Sequence, residues 1–411
     1  MTATAGSSPG AETATPRAAR AEAPSALETQ APPAADMDTL SDALTETDRA
    51  LSALTAGAAG TSAVERRLPP PVSVLDTSPV STSELQLAYN KRLMLCSGRA
   101  NPELAARIAA KLGVELSSVS PRTFSNGEVY CRFEDSVRGA DVFIVQPTCG
   151  NAQTGLTAND ALMELLVMVD AAVGGSAHRV IAVTPWYGYS RQDKKSAPRE
   201  PITARLVARM LESAGIDRLL TMDLHSGQIQ GFFQKPCDHM TALFMLTQYF
   251  ADLGLEDLVV VAPDAGRVKL NKRFASRIGA DLAILNKERP AQQVAEIGYV
   301  IGDVAGKTAV LVDDIIATAG TLKAAALAVR DAGARRIYAA ATHGEFSGDA
   351  WENLAAADFE QVVVTDTLPL PPGAPDNIRV LPCADLLTSS IRQIFTDGSV
   401  SYVFGGENQL F

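Results

Sequence analysis

The sequence predicts an α/β protein: two doubly wound parallel-sheet domains behind a disordered N-terminal extension. Three observations carry that expectation. From Tyr89 onward, short apolar runs alternate with helix-patterned segments, the rhythm of strands joined by helical crossovers. Such units fall on both sides of residue 240, so residues 89–240 and 241–411 are each expected to form one domain. Before them, residues 1–88 are rich in Ala, Pro, Thr, Ser and Glu and contain no aromatic residue, too little apolar surface to offset the entropy of ordering.

Within the extension, Met37, Leu40, Leu44, Leu51 and Leu54 recur at three- and four-residue spacing with Thr47 filling the gap, so residues 36–55 have the pattern of an amphipathic helix. The pattern spans too few turns to specify a coiled coil. Beyond it, strands are expected at 93–96, 141–146, 180–184, 218–222, 258–262, 281–285, 309–312, 336–341 and 361–365. Helices are expected to include 101–112, 159–172, 202–213, 241–253 and 323–332.

Composition narrows the function. With 36 basic against 47 acidic residues, the chain lacks the basic footprint that a nucleic-acid partner selects. Phosphate ligands must then be held at local sites, by loops, a few cations and divalent metal. Five scattered cysteines, Cys96, Cys131, Cys149, Cys237 and Cys383, show no CxxC spacing and fit reduced thiols. No apolar run approaches a membrane span and the start lacks the pattern of a signal peptide, so a soluble, cytoplasmic protein without membrane partners is expected.

One stretch organises the rest. An apolar run, 309–312, ends in Asp313 and Asp314, and a helix pattern begins near Leu322. Between them lie Ala317, Thr318, Ala319, Gly320 and Thr321, small residues and two hydroxyls that allow successive backbone N–H groups to converge on one anion at a helix start. Carboxylates beside a phosphate cradle suit a sugar phosphate: the acids take hydroxyls while the loop takes the 5-phosphate. A plain strand-to-helix turn with a solvated acidic pair is the competing reading.

This stretch resembles the phosphoribosyl diphosphate motif of type I phosphoribosyltransferases and of ribose-phosphate diphosphokinase. Further stretches extend the likeness over nearly all of residues 90–404. They are Phe124-Ser-Asn-Gly-Glu-Val129 with Ser136-Val-Arg-Gly139; Tyr187-Gly-Tyr-Ser-Arg-Gln-Asp-Lys-Lys195; Met222-Asp-Leu-His-Ser-Gly-Gln-Ile-Gln-Gly-Phe-Phe233; Ala262-Pro-Asp-Ala-Gly266 with Lys287-Glu-Arg289; and Thr342-His-Gly344 with Phe346-Ser-Gly348. Together they resemble class I ribose-phosphate diphosphokinase, also called phosphoribosyl pyrophosphate synthetase.

The resemblance implies two domains of type I phosphoribosyltransferase-like fold. It also implies transfer of the β,γ-diphosphoryl group of ATP to the 1-hydroxyl of ribose 5-phosphate, with release of AMP and use of Mg2+, for nucleotide, His and Trp biosynthesis. It makes His225 and Asp264 metal ligands, Lys287 and Arg289 catalytic cations on a closing loop, and Phe124, Asn126, Glu128, Arg191 and Gln192 the ATP site. Asp313, Asp314 and the loop Thr318, Ala319, Gly320 and Thr321 become the ribose 5-phosphate site. Ser136, Arg138, Ser399 and Ser401 match a regulatory site for phosphate and ADP, and a homohexamer is implied. On residues alone a lone His is more often structural than a ligand, and the 286–293 stretch reads as a charged loop. Departures from the family pattern are Ala317, where Asp is common; Gly266-Arg267, where Gly-Gly is frequent; and Ser196, at a position often charged. A regulatory relative without catalysis should have lost the metal ligands or the Lys–Arg stretch, and a phosphoribosyltransferase needs only one domain.

Overall fold

The computed structural model describes residues 91–404 apart from 292 and 293. The expected extension, residues 1–88, and its helical pattern at 36–55 lie outside the described residues.

The described chain begins with strand β1 (Arg92–Ser97), whose run Met94, Leu95 and Cys96 is buried on both faces, as the central part of a covered sheet requires. Helix α1 (Pro102–Leu112) follows, started by Asn101, whose side chain accepts the Leu104 N–H, and ended by Gly113 in the left-handed conformation at φ 72°. A short hairpin of β2 (Arg122–Thr123) and β3 (Val129–Tyr130) projects next. Then come β4 (Ala140–Val145), α2 (Ala158–Gly174), β5 (Arg179–Thr184), α3 (Thr203–Ala214), β6 (Arg218–Met222) and β7 (Cys237–Met240). Helix α2 opens on a reciprocal capping box between Thr157 and Asp160. The first sheet has the order β1-β4-β5-β6-β7 and is parallel throughout.

The second half supplies α4 (Leu243–Asp252), β8 (Leu258–Ala262), α5 (Val268–Ile278), β9 (Asp281–Ala291), β10 (Val294–Ile301), β11 (Thr308–Ile316) and α6 (Gly320–Asp331). It closes with β12 (Arg336–Gly344), α7 (Ala350–Ala357), β13 (Gln361–Thr365), β14 (Ile378–Leu381) and α8 (Ala384–Phe395). The sheet order is β10-β9-β8-β11-β12-β13-β14, parallel except for the β9–β10 pair. Here Val259, Val260, Val261, Val310 and Leu311 are fully buried.

One apolar cluster runs through both sheets. It takes Leu95, Phe143 and Val183 from the first, Val260, Val310 and Val363 from the second, and Ile108, Phe250, Leu387 and Ile391 from the helices between. Helix α8 comes last in the chain yet packs on α1 from the first sheet. A shared core fixes the carboxyl ends of the two sheets relative to one another, which any site built across them requires.

Three expectations change. Strand β11 does not stop at Val312 but continues through both acids to Ile316, because β12 extends with it and pairs Asp313 with Ala341 and Ile316 with Gly344. The charged stretch with Lys287 and Arg289 is not a loop: β9 runs on through it and pairs antiparallel with β10, so its charge masks strand structure. Helix α5 escaped pattern reading because only Asn271, Phe274 and Ala275 of its residues are buried, a narrow stripe among Lys and Arg.

Candidate functional site

In a parallel sheet the crevice for ligands opens beyond the carboxyl ends of the strands. Here three such ends converge: His225 follows β6, Asp264 follows β8, and Asp313 and Asp314 lie in the final turn-side half of β11. All four line one cavity of about 230 Å3 with Arg191, Arg267 and the whole loop from Ile315 to Leu322. The strand ends therefore bring the expected metal ligands, the acid pair and the phosphate loop to one place.

Asp314 is 4% exposed and cannot stand there uncompensated. Its Oδ2 lies 2.8 Å from Nδ1 of His225, and its Oδ1 lies 2.7 Å from Nη2 of Arg267. Arg267 also reaches Asp313, Nε to Oδ1 at 3.2 Å, and its Nη2 is 2.9 Å from His225 Nδ1. Asp313 Oδ1 further accepts the Asp314 N–H at 2.8 Å. Burial, reinforced by repulsion from Asp314, pushes the Asp313 carboxyl well above the ordinary carboxylate range. Burial also pushes Asp314 up, but the His225 hydrogen bond and the Arg267 charge outweigh it and hold that carboxyl below the ordinary range.

The donor set fits a hard divalent ion that keeps most of its shell for other ligands. His225 has Nδ1 engaged with Asp314, which leaves Nε2 for an ion, the arrangement in which a carboxylate orients a ligating imidazole. Asp264 caps the turn after β8 by accepting the Arg267 N–H on Oδ1 and has its second oxygen to offer. Among the described residues, no group of three or more His, Cys, Asp and Glu side chains closes around a single point.

The loop before α6 has a feature that the sequence hid. Ala319, the residue before α6, takes the left-handed conformation at φ 56°. For an L-residue with a Cβ this costs on the order of 1–2 kcal/mol, against a smaller entropic cost for glycine. Replacing Ala319 with Gly should raise stability by up to about 1 kcal/mol in urea unfolding; a loss of stability would show that the Ala319 methyl, 5% exposed, contributes more in packing than its backbone costs.

Residues absent from the expected site support the His225 loop from below. Asp223 holds φ 32°, fixed by Oδ2 accepting from Ala242 N at 2.8 Å and Thr342 Oγ1 at 2.6 Å. His239 Nε2 lies 2.8 Å from the Leu224 nitrogen. A backbone N–H can only donate, so Nε2 accepts and the ring proton sits on Nδ1, which is buried without a partner among the described residues. His343, fully buried, places Nε2 3.2 Å from the Met222 carbonyl. No spacing signal marks these contacts, because they join distant strands.

Burial, opposed by Asp223 and helped by His343, lowers the His239 pKa from an ordinary 6.5 to about 4. The folded state then stays unprotonated where the unfolded chain takes up a proton. Stability is present above pH 6.5 and is lost as pH falls toward 4. His239→Gln keeps an acceptor for Leu224 and should flatten the urea-midpoint curve across that window; an unchanged slope would mean that His239 does not titrate there.

Of the remaining expected residues, Arg191 lines the cavity and the others described do not. Phe124, Asn126 and Glu128 sit on the β2–β3 hairpin and do not line this cavity. Phe124 is 45% exposed, with its ring 5.7 Å from Tyr130 and the Arg122 guanidinium 5.4 Å away. Asn126 Oδ1 accepts the Glu128 N–H. Arg191 reaches Glu345 at 3.3 Å on the cavity rim, while Gln192 accepts from Thr203. Arg92 binds the Ser136 carbonyl, adjacent Lys91 pairs with Asp397, and Ser399 and Ser401 join hydroxyls at 2.6 Å. The side chains of Lys287 and Arg289 lie outside the described residues.

Two largely parallel sheets, with acids, an imidazole and a small-residue loop lining one cavity at strand carboxyl ends, define an α/β protein with one polar crevice. Residues 93–215 match the model of the N-terminal domain of ribose phosphate pyrophosphokinase, and residues 283–405 match that of the phosphoribosyl synthetase-associated domain. A ribose-phosphate pyrophosphokinase of Corynebacterium efficiens is 48% identical over 77% of this chain and 97% of its own length. One of Chlorobaculum tepidum is 47% identical over 77% and 96%. The crystal structure of phosphoribosylpyrophosphate synthetase from Mycobacterium smegmatis, 45% identical, superposes with a TM-score of 0.68 over 75% of this chain and all of that one. The chain belongs to the ribose-phosphate pyrophosphokinase family. No helix among the described residues is long and apolar enough to cross a membrane.

Proposed function

We propose that this enzyme makes 5-phosphoribosyl 1-diphosphate by transferring the β,γ-diphosphoryl group of ATP to the 1-hydroxyl of ribose 5-phosphate. The sugar oxygen attacks the β-phosphorus, the bond from that phosphorus to the α–β bridging oxygen breaks, and AMP leaves. The observation that carries the reading is the joining of an acid pair, a small-residue loop and a His–Asp pair around one cavity. Asp313 and Asp314 accept sugar hydroxyls. Backbone N–H groups of the loop, with the Thr318 and Thr321 hydroxyls, hold the 5-phosphate.

His225 and Asp264 are the residues that would hold Mg2+, which neutralises charge on the transferred group when bound. Lys287 and Arg289 act on the same charge from the β9–β10 hairpin. Phe124, Asn126, Glu128, Arg191 and Gln192 hold the nucleotide; Phe124, Asn126 and Glu128 do not line the cavity, which fits an ATP site completed by a second copy of the chain. We extend the reading to a homohexamer of two-domain chains divided near residue 240, to phosphate and ADP as effectors at Ser136, Arg138, Ser399 and Ser401, and to a cytoplasmic setting. Light scattering tests the assembly. Release of AMP from ATP, magnesium and ribose 5-phosphate tests the reaction, and none with a folded protein would refute it.

Ala317 stands where a carboxylate is common, and it lines the cavity. In a loose phosphoryl-transfer transition state the attacking hydroxyl needs little early deprotonation, so alignment and metal contribute most of the acceleration. Ala317→Asp should therefore change kcat by less than about tenfold, under roughly 1.4 kcal/mol in barrier. Strong rescue of an inactive natural protein by this change would point to a non-catalytic relative.

A further inference from the structure

Arg267 poses a problem for any sugar that enters the site. Its guanidinium lies 2.7 Å from Asp314 and 3.2 Å from Asp313, and its side chain is 17% exposed. Both Asp314 oxygens are taken, one by Arg267 and one by His225. On Asp313, Oδ1 is shared between Arg267 and the Asp314 N–H. A pair of vicinal hydroxyls donating to the two acids needs one acceptor on each. Asp313 has an oxygen clear of Arg267, whereas a hydroxyl approaching Asp314 Oδ1 must compete with the Arg267 guanidinium for it.

Asp314 Oδ1 also makes no well-aligned hydrogen bond, although Arg267 is within ion-pair distance. The contact is therefore a charge pairing whose acceptor lone pairs remain incompletely used. A hydroxyl that replaces Arg267 would gain an aligned hydrogen bond there. Position adds a second point. Arg267, His225, Asp313 and Asp314 line the 230 Å3 crevice and also an adjoining cavity of about 520 Å3, so the guanidinium stands on the wall between them and has space to move. Removing a cation from two buried carboxylates is costly unless another positive charge takes its place and the cation finds an anion. A magnesium-bound triphosphate held at His225 and Asp264 would bring both, and Asp264 lies three residues before Arg267.

We propose that Arg267 is a displaceable counter-ion. It occupies the acceptors of Asp313 and Asp314 in the ligand-free protein, yields them to the sugar hydroxyls, and turns to the diphosphoryl oxygens of the nucleotide. The proposal rests on the reading of Asp313 and Asp314 as the sugar site. Its consequence is that nucleotide and sugar phosphate bind with positive coupling carried by this side chain, an equilibrium quantity separate from turnover.

The test is calorimetric titration of ribose 5-phosphate into the full chain, with and without magnesium and α,β-methylene-ATP, whose α–β linkage cannot be cleaved. In the natural protein the nucleotide should tighten sugar-phosphate binding by about tenfold or more. In Arg267→Met the ratio should fall to about twofold or less. Arg267→Lys keeps the charge but not the fork that spans two carboxylates, and should also lose most of the coupling; it decides the matter if the Met variant does not fold. An arginine that merely supports the fold would weaken both affinities and leave their ratio unchanged, which would overturn the proposal. So would absence of coupling in the natural protein. Failure of ribose 5-phosphate to bind under either condition would instead sink the sugar-site reading, and the proposal with it.

Discussion

Lys287→Ala should lower kcat by about a thousandfold or more, roughly 4 kcal/mol of barrier, while the KM for ATP moves by less than about threefold. The backbone supplies the reason. Strand β9 pairs with β8 as far as Ile284 opposite Ala262, and then runs on to Ala291 with, among the described strands, only β10 paired to it. At about 3.3 Å per residue, Lys287 lies roughly 10 Å beyond the end of the strand that delivers Asp264. The hairpin thus overhangs the side of the sheet where the crevice opens.

On the proposed reading, a cation carried on this arm acts on charge that grows as AMP leaves more than on bound ATP. Initial-rate measurements of AMP release separate the two parameters. A variant whose sole defect is a raised KM would place Lys287 among ground-state binding residues.

The repeating architecture was legible because buried parallel strands are apolar along their whole length, and a run such as Leu258–Ala262 has few other ways to satisfy its backbone. Elements that bury only a few residues were not. Helix α5 hides its stripe among Lys and Arg, and β9 carries Lys287 and Arg289 inside a strand. At the site, the residues that follow strand ends were legible because chemistry there concentrates in short motifs. The supports, Asp223, His239 and His343, were not, since each acts through a contact made by folding, such as the Leu224 N–H on His239. Arg267 was visible in the sequence as a departure, yet its pairing with Asp313 and Asp314 depends on how β8 and β11 lie side by side.

The adjacent acids should part company on substitution. Replacing both Asp313 and Asp314 with Asn should weaken ribose 5-phosphate far more than ATP, because hydroxyls donating to charged acceptors contribute about 1.5–3 kcal/mol each, roughly 10- to 150-fold per bond. The single variants differ in kind. Asp313 is the more exposed, at 26% of its side chain, and keeps an oxygen clear of Arg267, so Asp313→Asn should act mainly on ribose 5-phosphate affinity with little change in stability. Asp314, at 5%, is the partner of both His225 and Arg267. Asp314→Asn leaves a buried guanidinium without its closest counter-charge, a change that costs about 3–5 kcal/mol in comparable pairs. Its urea midpoint should fall, and metal-dependent activity should fall with it, because His225 loses the carboxylate that orients the ring. Calorimetry with ribose 5-phosphate and urea unfolding on the two single variants separate these effects. Equal weakening of ATP and sugar in the double variant would mean that the pair serves the metal or the fold; equal stability of the single variants would mean that Arg267 pairs as strongly with Asp313 as with Asp314.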